Sequence, residues 1–177
     1  MFSHYQILLW AFTFSMSPRE QQEKQRAEFA VRKNDPPAAG SLIDFASWQR
    51  HNLRRLAFRA AWQQYFRNVD AFLLPALPVP AFPHDHSEQA VRTLVTPDGP
   101  LQYMQALLGY MSIAIMTGCP ATVAPSGKTT NGLPVGVQII GPYLEDETAG
   151  RLISFVLLLR PSPSFSDLLL SFAPLLC

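Results

Sequence analysis

The segment 117–142, which reads TGCPATVAPSGKTTNGLPVGVQIIGP, constrains the fold of this 177-residue chain more than any other stretch. Two apolar runs, 121–124 and 135–140, flank a polar loop that contains Asn131 and Gly132. Apolar, β-branched runs on either side of an Asn-Gly turn signal are typical of paired strands. We therefore expect the two runs to form neighbouring antiparallel strands.

The composition indicates a folded chain with a hydrophobic core. Hydrophobic residues make up 48% of the sequence and charged residues 15%, which is the balance of a globular rather than a disordered protein. The formal net charge of +1 provides no electrostatic basis for binding nucleic acid. Cys119 and Cys177 form neither a disulfide framework nor a zinc motif, which fits a reducing compartment and predicts a cytoplasmic protein.

The first forty residues are predicted to be helical. Residues 1–15 are apolar and favour a buried helix, because they lack the basic start and the small-residue cleavage site of a signal peptide. They are also shorter than the roughly 20 apolar residues of a membrane span, so no membrane association is expected. A second helix is predicted to begin with Ser17 and Glu20 as a capping box.

Helices and strands alternate in the middle of the chain. A long helix is predicted to start with a capping box between Ser41 and Asp44, and an apolar strand at 69–74 follows it. Another helix is expected over 101–116, with Gly118 in the left-handed conformation at its end. Together with the paired strands, these elements predict an α/β fold in which helices flank a mixed β-sheet.

Two groups of polar residues could bind ligands, but simpler interpretations are favoured. The arginines in residues 50–59 could bind phosphate, yet arginine stems commonly cover apolar surface while their charged ends stay in water. His84 and His86, with Asp85 and Glu88 nearby, could ligate a metal. They lie in a proline-bounded loop without a clear third and fourth ligand, so neither a metal nor a cofactor is predicted.

Two adjacent motifs carry a family resemblance. The first, G-x-P-A-x-x-x-P, is formed by Gly118, Pro120, Ala121 and Pro125. The second, at residues 132–141, reads GLPVGVQIIG. Together they resemble the C-terminal part of the amidase signature family, and the resemblance extends over about residues 42–156.

The resemblance implies hydrolysis of amides by a serine nucleophile. In the family a second serine and a lysine activate this nucleophile, and backbone N–H groups of a glycine-rich loop hold the oxyanion. Those parts precede the matched region, and this chain contains neither a Ser-Ser nor a Gly-Gly pair. None of Lys24, Lys33 and Lys128 has an identifiable serine partner. No catalytic residue is therefore assigned, and whether the chain is an enzyme by itself stays open.

Two functions remain open at this point. The first is the C-terminal fragment of an amidase that is inactive by itself. The second is an accessory or structural module that completes a separately encoded amidase half. An independent enzyme is disfavoured because no nucleophile–base pair is visible, and Cys119 at the end of a predicted helix fits a small buried residue better than a reactive thiol.

The resemblance also implies a small-molecule amide as the substrate of the full-length family. In relatives the helix before the G-x-P-A motif and the turn after it help to form the pocket, which points to Met111, Ile115 and Thr117, although these residues could equally pack in the core. The strands of relatives join a larger sheet. This chain alone is therefore predicted to leave a sheet edge uncovered and to self-associate through it.

Three segments are predicted along the chain. Residues 1–40 form the N-terminal helical segment, and residues 41–157 form the C-terminal part of an amidase domain. Residues 158–177 form a divergent tail rich in Leu, Pro and Ser, which does not resemble the family.

Overall fold

The computed structural model describes residues 1–31, 36–89 and 91–158, and the side chains of these up to Leu152. The backbone divides into two compact units, Met1–Ala61 and a second unit that begins at Trp62. This division falls further along the chain than the predicted boundary at residue 40, which stays a prediction. Apart from its first residue, the predicted tail at 158–177 lies outside the described residues.

The first unit consists of helices. They are α1 (Phe2–Met16), α2 (Arg19–Phe29), α3 (Pro36–Ser41) and the larger part of α4 (Phe45–Tyr65). Gly40 allows α1 and α3 to approach closely, since a Cβ atom at this position would lie 2.5 Å from the Ile7 carbonyl oxygen and 2.6 Å from Trp10 Cβ. The prediction of a buried first helix is only partly right, because Phe12 is 64% exposed.

Both predicted capping boxes place the cap on the wrong residue. The Ser17 hydroxyl donates to the Thr13 carbonyl of α1 at 3.1 Å and makes no cap for α2. Ser41 ends α3, and Asp44 is the residue that caps α4. The Asp44 carboxylate accepts hydrogen bonds from the Ser47 N–H and hydroxyl, each at 2.8 Å. A short helix before α4 therefore moves the helix start beyond the predicted serine.

The second unit is built on a three-stranded sheet. Its strands are β1 (Phe72–Pro75), β4 (Ala121–Lys128) and β5 (Pro134–Ile140), in the order β1-β5-β4. The antiparallel pairing of β4 with β5 confirms the prediction for the two apolar runs, and Gly132 takes the left-handed conformation (φ 81°) in the loop between them. The predicted third strand at 69–74 is β1, which pairs with β5 and not with its neighbour in sequence.

One face of this sheet carries the core of the second unit. Ala124, Val137 and Ile139 are fully buried there, and Leu152 of α7 (Asp146–Leu158) packs against them. Residues 137–140 of β5 are all buried, which means that both faces of the sheet are covered along the central strand. The predicted α/β class with flanking helices is confirmed, and each pairing between described strands is antiparallel.

A hairpin and two short helices lie between β1 and β4. They are β2 (Thr93–Thr96), β3 (Gly99–Gln102), α5 (Tyr103–Leu108) and α6 (Met111–Thr117). The predicted single helix over 101–116 is wrong in two respects: Leu101 pairs with Leu94 in the hairpin, and the helix is interrupted at Gly109. Its predicted end is confirmed, because Gly118 is left-handed with φ 70°.

Candidate functional site

Helix α6 presents two of the three predicted pocket residues on one exposed face. Met111 is 38% exposed and Ile115 is 54% exposed, and residues four apart lie on the same side of a helix. Thr117 lies on another side and is fully buried, with its hydroxyl donating to the Ile113 carbonyl at 2.7 Å. The structure thus brings Met111 and Ile115 together and places Thr117 in the interior.

The inner face of α6 explains this orientation. Ile113 and Met116 are almost completely buried. Ser112 is also fully buried, and its hydroxyl donates to the Gly109 carbonyl at 2.6 Å, which closes the turn that leads into the helix. Burial of the inner face leaves the outer residues of this short helix exposed, because apolar burial dominates the packing of a helix surface.

An exposed strand edge follows α6 in the chain. β4 is an edge strand of the three-stranded sheet, and it carries no charged residue before Lys128. Ala121, Val123 and Pro125 alternate with the buried Ala124 and are exposed, Val123 by 56%. An apolar edge strand without charged residues is a template for pairing with a further strand.

A polar cleft of about 330 Å³ lies elsewhere in the second unit, and sequence reasoning missed it. It is lined by Gln63, Phe66, Arg67, Val69, Asp70, Pro142, Tyr143, Glu145 and Thr148. The Thr148 hydroxyl donates to Glu145 Oε2 at 3.1 Å. The lining segments are more than seventy positions apart in sequence and share no motif, so no local pattern could have indicated the cleft.

The serine and cysteine side chains near α6 are not arranged for nucleophilic catalysis. The Ser126 hydroxyl donates to the Val135 carbonyl at 3.3 Å, and Ser112 likewise donates to a backbone carbonyl. A serine nucleophile needs a base that takes its proton, and a carbonyl oxygen cannot do this. Cys119 is buried with 6% exposure, in agreement with the interpretation as a small core residue.

The histidine-containing loop at residues 84–88 is exposed. The rings of His84 and His86 stack with centroids 6.2 Å apart. Hydrogen bonds from the Ser87 hydroxyl and N–H lower the pKa of Asp85, so this carboxylate organises the loop. Across the described ranges, no group of three or more His, Cys, Asp or Glu side chains could hold a metal ion.

None of the helices in the described ranges combines the length and the apolar character that a membrane-spanning helix requires.

Comparison with known proteins identifies the family. The family model for amidases matches residues 10–149, which include α6, the edge strand β4 and the polar cleft. The chain belongs to the amidase signature family. The resemblance that the motifs at 118–125 and 132–141 predicted is thereby confirmed.

Relatives in this family are much longer than the matched region. A glutamyl-tRNA(Gln) amidotransferase subunit of Thermus thermophilus is 36% identical over 130 residues, which cover 71% of this chain and 25% of the relative. Its counterpart in Gluconobacter oxydans is 34% identical over 84 residues, covering 47% of this chain and 15% of the relative. The chain thus spans a quarter or less of the length of these relatives.

Solved structures share the fold. The crystal structure of an amidase superposes with a TM-score of 0.61 at 26% identity, covering 75% of this chain and 29% of the amidase. A glutamyl-tRNA(Gln) amidotransferase subunit of Thermotoga maritima superposes with a TM-score of 0.53 at 21% identity, covering 85% and 32% of the two chains. The described elements therefore form part of the amidase fold.

Proposed function

We propose that this chain is the C-terminal portion of an amidase signature hydrolase and that it is inactive by itself. The full-length enzyme would hydrolyse the C–N bond of a small-molecule amide, with its serine nucleophile, relay serine and lysine in the part that precedes this sequence. The observation that carries the proposal is the short coverage of relatives, 15% to 25% of their length. Near α6, the hydroxyls of Ser112 and Ser126 bond to backbone carbonyls, which cannot act as a base.

In this proposal the chain supplies one wall of the substrate pocket. Met111 and Ile115 are exposed apolar side chains on the helix that leads into the G-x-P-A motif, and they would contact the substrate. Thr117 would act from the interior, because its hydroxyl bonds to the Ile113 carbonyl and stabilises the end of the same helix. The two separated cysteines, which form no disulfide framework in the sequence, support a cytoplasmic location.

A serine-reactive fluorophosphonate tests the absence of an independent active site. The purified chain should remain unlabelled under conditions in which a full-length amidase is labelled stoichiometrically. Peptide mapping by mass spectrometry would locate any label, and Ser112→Ala and Ser126→Ala test the two buried serines near α6. Stoichiometric labelling at any serine would overturn the proposal.

The exposed edge of β4 favours a second candidate function, an accessory module that completes a separately encoded amidase half. The edge strand has an apolar face with Val123 56% exposed, which a further strand and its side chains could cover. Co-expression with the N-terminal portion of an amidase that carries the Ser-Ser-Lys core tests this function. Recovery of amide hydrolysis in a co-purifying complex would support it, and a core portion that neither binds nor gains activity would exclude it.

A further inference from the structure

Two histidines from different helices contact each other in the first unit. Nδ1 of His4 in α1 lies 2.8 Å from Nδ1 of His51 in α4, and the ring centroids are 4.9 Å apart in an edge-to-face arrangement. Both side chains are partly buried, and the Phe58 ring lies 6.1 Å from the His4 ring. The contact joins residues 47 positions apart and is therefore a tertiary link between the two helices.

This contact can accommodate one added proton but not two. A neutral pair forms the hydrogen bond when one Nδ1 carries a hydrogen and the other presents a lone pair. A single added proton leaves that arrangement intact, because an imidazolium donates to its neutral partner. When both rings are protonated, both Nδ1 atoms carry hydrogens and positive charge, so the hydrogen bond is lost and the rings repel each other.

Positively charged groups lie around the pair. Burial, the His51 ring, the amino group of Met1 and Arg54 all lower the pKa of His4 from its ordinary value. α1 and α3 contain no Asp, Glu, Lys or Arg, and α4 contains no acidic residue. Neutral His4 is therefore favoured in the folded chain. Its contribution to stability is present near neutral pH and is lost as the pH falls through the lowered pKa.

We propose that His4 and His51 form a pH-sensitive latch that holds α1 against α4 at neutral pH and releases it in acid. The latched pair accepts at most one added proton, whereas the released rings accept two. The released state therefore binds one proton more than the latched state. At pH 5.0, about 1.5 units below the ordinary histidine pKa of about 6.5, binding of this proton favours the released state by about 30-fold. α3 still packs against α1 near Ile7 and Trp10 after release, so the loss of the contact loosens the His4 end of α1 and not the whole helix.

Hydrogen exchange of the full chain, followed by mass spectrometry, tests the latch. Protection of α1 peptides is compared at pH 7.5 and pH 5.0 after correction for intrinsic exchange, with peptides of β5 as the internal reference. We expect the protection of the α1 peptide that contains His4 to fall by up to about 30-fold relative to β5, because α3 does not cover this end of the helix as it covers Ile7 and Trp10. Equal changes in α1 and β5 would overturn the proposal. The readout is local to the first unit and independent of amidase activity.

Variants separate the latch from a general effect of acid. Asn places an amide oxygen near the position of the imidazole Nδ1, so His51→Asn can accept a hydrogen bond from protonated His4. This variant should lose most of the pH dependence of α1 protection, even where its protection at pH 7.5 is already lower. His84→Asn, in the exposed loop of the second unit, is the matched control and should behave as the unaltered chain. Retention of the full pH dependence in His51→Asn would refute the latch.

Discussion

The same substitution at two helical glycines should change stability in opposite directions. At Gly40 a new Cβ atom would lie 2.5 Å from the Ile7 carbonyl oxygen and 2.6 Å from Trp10 Cβ. Both atoms belong to α1 and are backbone or backbone-adjacent, so they cannot move aside without shifting the helix. At Gly150 in α7 the new atom would meet no heavy atom of the described residues within 4 Å.

The magnitudes follow from these distances. Gly→Ala in a helix interior stabilises by about 1 kcal/mol, and this gain is all that Gly150→Ala should show. Overpacking costs about 1–3 kcal/mol, and two contacts below 3.0 Å place Gly40→Ala at the upper end of that range. The net effect of Gly40→Ala is therefore a loss of about 2 kcal/mol, since the helix propensity gain offsets part of the cost.

Thermal unfolding followed by circular dichroism, at matched protein concentration, measures both variants. With about 2–4 °C per kcal/mol for a chain of this size, Gly150→Ala should raise the Tm by roughly 2–4 °C and Gly40→Ala should lower it by roughly 4–8 °C. A neutral or stabilising Gly40→Ala would refute the close approach of α1 and α3. A destabilising Gly150→Ala would contradict the open surroundings of that glycine.

Three further predictions concern the second unit and the start of α4. Leu144 has φ 66° and is 76% exposed. Leu144→Asn should raise the free energy of unfolding in urea by about 0.5–1 kcal/mol, because Asn tolerates the left-handed region better and little buried apolar surface is lost. A destabilised variant would contradict this explanation. Hydrogen bonds from Ser47 lower the pKa of Asp44, so the cap is intact above the ordinary carboxyl pKa of about 4 and is lost as the pH falls through the lowered pKa. Hydrogen-exchange protection at the start of α4 should fall over this pH range. In Asp44→Ala, this protection should not depend on pH over the same range. We propose that the chain self-associates through the β4 edge. Val123→Lys should then reduce this association in analytical ultracentrifugation, with Lys128→Arg as the charge-neutral control. Unchanged association, or none in the unaltered chain, would exclude this edge as the contact.

The amino-acid sequence by itself determined the features that short-range patterns encode. The pairing of β4 with β5 follows from two apolar runs joined by a turn at Gly132, and the end of α6 follows from a glycine at position 118 that can adopt positive φ. The family motifs lie in the same segment. They are detectable because the turn, the strands and the glycines are all within a few residues of one another.

Only the tertiary structure decided which distant segments meet. β1 pairs with β5 across more than sixty residues, and His4 meets His51 from another helix. The helix pattern over 101–116 is divided between a hairpin and two helices, and Met111 and Thr117 end on different sides of α6. Periodicity predicts which residues are apolar, but it does not specify the partners that bury them. Those partners are selected by packing between elements that are remote in sequence, and that selection overrides local propensity.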